Sequence, residues 1–135
     1  MSDLSTAVGD YLANRFERPY REGEHDCALF VLGWIDTLTG STHEAEYHGS
    51  YHTKFEGLRR HAPAGMAAVA VEMLPRENWR EVASGEPLAA GDVVLTRQGM
   101  PGVFDGSAIV SAIQGLAGHA RVPEFERKEA FRWLP

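Results

Sequence analysis

Cysteine is nearly absent from this chain: a single thiol, Cys27, stands among 135 residues. A lone cysteine excludes an internal disulfide framework and a cysteine-rich zinc site. Positive charge is also short, with 13 Lys and Arg against 19 Asp and Glu, for a net charge of −6. That balance argues against general nucleic-acid binding and against attachment to an anionic membrane. No apolar run approaches membrane-spanning length, so no membrane insertion is expected. Met1-Ser2-Asp3-Leu4 lacks the basic region and apolar stretch of a signal peptide, so synthesis in a cytoplasm is expected, with something else carrying the protein to any site outside it. Repeats, low-complexity linkers, heptads, a phosphate-binding glycine loop, a Gly-x-Ser-x-Gly elbow and a dinucleotide fingerprint are missing. Nothing implies a cofactor.

What is present suits one domain, residues 1–135, long enough to bury a core and 44% hydrophobic. Leu4, Val8, Tyr11, Leu12 and Phe16 form a helical stripe, with Ser2 or Asp3 as cap and Pro19 closing the segment. A second helix is expected from Cys27 to about Thr39, stopped by Gly40. Residues 41–52 read as a loop or broken helix, while 53–61 and 65–74 read as helical, ended by Pro75. After Gly85-Glu86-Pro87 the pattern turns to strands. These are Asp92 to Thr96, one or two between Val103 and Ile113, another from Gly118 to Pro123, and a last one at Ala130 to Leu134. The expected class is α+β: a helical part, about 1–80, carries Cys27 at a helix N-terminus and packs on a small antiparallel sheet, about 86–135.

Cys27 admits two readings. A thiol at a helix N-terminus faces unpaired backbone N–H groups and the positive end of the dipole, which favour the thiolate and point to a cysteine hydrolase. The spacing Cys27, Phe30, Val31, Trp34, Ile35, Leu38 equally suits one apolar helix face bearing an inert core thiol. Glu22, Glu24 and Asp26 oppose ionisation of the thiol, whereas Arg18 and Arg21 favour it. His25 lies two residues before Cys27, a spacing that does not generally join side chains. It is expected to be a turn residue or a contact at the helix start, and a base would come from a distant segment. His43, His48, His52 and His61 cluster, and His48/His52 have the i, i+4 spacing of a shared metal. Gly49 weakens that helix and no third ligand is placed, so a polar loop without metal is expected. Tyr47, Gly49, Tyr51 and Phe55 would line a cleft or anchor the loop.

Pro19-Tyr20-Arg21, Gly23 and Asp26-Cys27 before an apolar helix resemble the nucleophile segment of NlpC-type, papain-like cell-wall cysteine peptidases. Leu88-Ala89-Ala90-Gly91-Asp92-Val93-Val94-Leu95 resembles the Leu-x-x-Gly-Asp stretch that leads into that family's sheet. The Gly-Glu-His-Asp-Cys-Ala-Leu-Phe form, with Leu38-Thr39-Gly40, more closely resembles small domains encoded in phage tail-gene clusters. The resemblance implies Cys27 as nucleophile, its N–H in an oxyanion hole, and Tyr20 orienting the thiol or polarising the carbonyl. The family's strand histidine falls most simply at Gly102. His119, near the family's third polar position, is then the residue that could reach Cys27 instead, or else a polar strand residue on a solvated face. Two functions follow from the resemblance. One is a tail-associated peptidase cutting an amide in host peptidoglycan. The other is a tail-tip or assembly component on the same fold without its base. Both imply phage tail proteins as partners and the virion tail as location.

Overall fold

Asp26 starts the central helix, α2 (Cys27–Thr39). Its backbone is extended and its carboxylate accepts a hydrogen bond from the Leu29 N–H at 2.9 Å, which satisfies one of the donors a helix leaves open. Gly40 stops the helix with φ 76, a left-handed conformation that glycine adopts without steric cost. The structure, a computed structural model, describes residues 4–15, 18, 21, 25–49, 78–112 and 120–134. The expected helices at 53–61 and 65–74 lie outside them.

Every residue of α2 from Ala28 to Ile35 is buried, so this stretch of the helix is enclosed all round, while Thr37 in its last turn is exposed. Helix α1 (Ser5–Arg15) covers one side through Val8 and Tyr11. Gly33 makes that approach possible. A Cβ there would run into the Tyr11 hydroxyl and lie 2.8 Å from both Arg15 Nη2 and Glu44 Oε1. The Tyr11 hydroxyl donates to the Phe30 carbonyl at 2.5 Å, and Arg15 lies over the Tyr11 ring while pairing with Glu44. Burial raises the Tyr11 pKa, so the phenol stays neutral. The short helix α3 (His43–Tyr47) is capped from outside itself: Asp36 on α2 accepts from the His43 N–H, the Glu44 N–H and the Ser41 hydroxyl. Tyr47 packs against the core, the anchoring role among the two expected for it.

The strands are β1 (Trp79–Glu81), β2 (Val93–Thr96), β3 (Pro101–Phe104), β4 (Ile109–Ser111), β5 (Ala120–Val122) and β6 (Arg127–Trp133). They form one antiparallel sheet in the order β1-β6-β2-β3-β4-β5. The architecture is α+β, as the sequence implied. Period-two alternation splits the sheet into two faces. Val93, Val103 and Val110 join the cluster formed with α2, and Trp79, Phe131 and Trp133 extend it. Val94, Phe104, Ile109 and Ala130 face the other way, against Val82 and Leu88. Pairing shifts after Leu95: Leu95 opposes Glu129 but Thr96 opposes Arg127, which leaves Lys128 in a bulge.

Candidate functional site

Cys27 is the first residue of α2 and is half-buried. The first donor inside the helix is the Phe30 N–H, which bonds the Asp26 carbonyl, so the Cys27 and Ala28 N–H groups precede the intrahelical ladder. Asp26, at the same helix end, is itself buried. Ahead of the helix, Arg21 and His25 exchange both backbone hydrogen bonds, at 2.9 and 2.8 Å. His25 turns inward, 4% exposed, with its ring edge-on to Phe30. It is the turn and helix-start residue that its spacing suggested.

Tyr20 and His119 lie outside the described residues. Gly102 is described, and its register corrects the expectation placed on it. It pairs with Val94 and so shares the face turned away from α2. A Cβ at 102 would lie 2.7 Å from Ile109 Cγ2 and 2.8 Å from the Val110 carbonyl oxygen. An imidazole there would point away from the Cys27 helix and would not fit. The β3 residues on the α2 face are Pro101 and Val103. Neither can serve as a base.

The Gly-Asp motif proves to be structural. Gly91 has φ 94, and a Cβ on it would lie 2.6 Å from Leu4 Cδ1 and 3.3 Å from Trp34 Cζ2. Its carbonyl accepts from Trp34 Nε1 at 2.9 Å, tying α2 to the turn before β2. Asp92 accepts from the Ala89 N–H at 2.8 Å and from Arg132 through both oxygens, at 3.0 and 2.9 Å. Arg132 on β6 also reaches Glu86, and Arg80, its neighbour in register on β1, binds Glu86 from the other side. Glu86 thus separates two arginines that would otherwise repel. The Arg80 hydrogen bond, with help from the Ala83 N–H and Arg132, lowers the Glu86 pKa to about 2. Sequence alone offered no signal for Trp34, Asp36 or Arg132 as fasteners, because each acts across a long chain separation.

Among the described residues, no group of three His, Cys, Asp or Glu side chains could hold a metal. His43 Nδ1 lies 3.8 Å from Glu46 within α3, and His52 and His61 lie outside the described residues, as do Tyr51 and Phe55. No described helix is long and apolar enough to cross a membrane. A groove of about 880 Å³, not lined by Cys27, lies between the 81–87 segment and residues 124–130. A family model described as Domain of unknown function (DUF6950) matches residues 1–133. No curated protein matches the chain.

Proposed function

We propose that this chain, which belongs to the DUF6950 family, is a phage-tail-associated domain on an NlpC-like, papain-like scaffold. It would be made in the host cytoplasm, carried in the virion tail and held there by other tail proteins. The observation that supports this reading is the mounting of Cys27: first turn of an enclosed helix, Asp26 as cap, packed on an antiparallel sheet. β5 (Ala120–Val122), at the end of the sheet order, offers a strand edge to a tail protein.

Within that role the non-hydrolytic reading is favoured by one observation: β3 turns Pro101 and Val103, not an imidazole, toward α2. Acyl transfer from a peptidoglycan amide would need Cys27 sulfur to attack the carbonyl and another group to protonate the leaving amine. General acid–base help of that kind contributes about 10²–10⁴-fold. His119 would be its source in the hydrolytic alternative, with Tyr20 polarising the carbonyl.

The test is muropeptide release by purified protein, wild type against Cys27→Ala, together with mass spectrometry of purified particles. Weak or absent release with the protein present in tails is the expected result. Robust release lost in Cys27→Ala would establish the hydrolase instead, and absence from particles would end the tail assignment.

A further inference from the structure

The connection from β1 to β2 has to cross over β6, because those two strands pair with β6 on its two sides. It crosses on the face turned away from α2, where Val82 and Leu88 pack with Val94, Phe104, Ile109 and Ala130. Backbone hydrogen bonds to the sheet stop at Val82, whose N–H donates to the Ala130 carbonyl at 2.8 Å. They resume at Gly91, whose N–H donates to the Phe104 carbonyl at 2.8 Å. Between them, over residues 83–90, Leu88 alone is buried.

Among the described residues, the polar ties of this stretch to the strands beneath it come from three arginine side chains. Arg127 Nη2 donates to the Ala83 and Ser84 carbonyls. Arg132 Nη2 donates to the Pro87 carbonyl at 2.9 Å, and Arg80 and Arg132 both bind Glu86. Other bonds are local to the stretch: the Glu86 N–H donates to the Ala83 carbonyl and the Ala89 N–H to the Asp92 carboxylate. Arg127 has no carboxylate partner among the described residues, and its Nη1 is buried without an acceptor there. A guanidinium met by neutral carbonyls recovers little of its desolvation cost. One buried apolar side chain, side-chain rather than backbone ties and an otherwise exposed course are the make-up of a segment that opens locally.

We infer that residues 83–90 form a clasp over β6 that opens as one unit while the sheet stays paired, uncovering the apolar cluster that Leu88 seals. The inference is independent of any chemistry at Cys27 and of the tail assignment. Native-state hydrogen exchange of the full chain, resolved amide by amide at low urea concentrations, is the measurement. The Glu86 and Ala89 amides should share one opening equilibrium, more frequent than that of the β2–β3 ladder and less dependent on urea. Added salt should speed their exchange, since the ties to Glu86 are ionic. Arg80→Ala and Arg127→Ala should each speed it about tenfold, the loss of a charged hydrogen bond. Arg132 is spared because it also pairs with Asp92. Val103→Ala, which weakens the sheet on its other face, should speed exchange in the ladder and leave Glu86 and Ala89 unchanged, because Val103 stays packed when the clasp opens. Glu86 and Ala89 amides that follow the ladder in urea and in Val103→Ala, or that ignore both arginine substitutions, would overturn the inference.

Discussion

Replacing Gly33 with alanine sets two effects of opposite sign against each other. In a helix interior free of neighbours, Gly→Ala stabilises by about 1 kcal/mol through backbone entropy. Here the new Cβ would collide with the Tyr11 hydroxyl and crowd Arg15 and Glu44. The latter two present the tips of flexible side chains and can yield cheaply. Tyr11 cannot: it is 6% exposed, with the Phe30 and Trp34 rings both 5.5 Å away. Overpacking costs about 1–3 kcal/mol, and displacing the Tyr11–Phe30 hydrogen bond adds about 1 kcal/mol. The balance is a destabilisation of about 1–3 kcal/mol. In urea, followed by tryptophan fluorescence, the midpoint should fall by roughly 0.5–1.5 M at an unchanged slope near 2 kcal/mol/M. In a Tyr11→Phe background the penalty should shrink by about 1 kcal/mol, a coupling that only direct contact produces. A raised midpoint in Gly33→Ala would refute the packing argument, for then helix propensity alone is at work.

Three further perturbations probe the fasteners. Asp92→Asn removes the buried carboxylate charge from the Asp92–Arg132 pair while Glu86 still holds Arg132, and should cost about 2 kcal/mol, read as a lowered melting temperature. Asp36→Ala removes the outside cap of α3 and should cost about 1–2 kcal/mol, with faster hydrogen exchange at the His43 and Glu44 amides; unchanged exchange would contradict the capping role. Because the Glu86 pKa is lowered to about 2 from its ordinary 4.5, its contribution to stability is full above pH 4.5 and fades as pH falls toward 2. Glu86→Gln should therefore flatten the acid side of the stability profile in that window, and a profile of unchanged steepness would count against the network.

Helix α2 was legible to the residue because its signals are local: Asp26 bonds an amide three positions on, and Gly40 supplies the left-handed stop. Strands β2, β4 and β5 fall within the expected runs, whereas β3 begins at Pro101 rather than Val103 and β6 at Arg127 rather than Ala130, its charged first half being held by pairing with β2. Strand β1 left no trace in the pattern, since Trp79-Arg80-Glu81 becomes a strand only by pairing with Arg132 and its neighbours some fifty residues later. Helix α3 is likewise decided by a carboxylate on another helix. The site was legible in part. The position of Cys27 could be read, but the facing of Gly102 depends on its pairing with Val94, and a shift of one residue along β3 would exchange the two faces.

The position of β6 between β1 and β2 governs the order in which this sheet can be assembled. A chain that has left the ribosome only as far as β5 can form the β2-β3-β4-β5 meander, whose pairings are between sequence neighbours. It cannot attach β1, which touches the sheet through β6 alone. Until residues 127–133 emerge, the outer edge of β2 offers its unpaired amides and carbonyls, together with the apolar Val93 and Val94, to any neighbouring chain. Within this sheet β6 is the last strand to be made, and it both closes this gap and brings β1 onto the sheet.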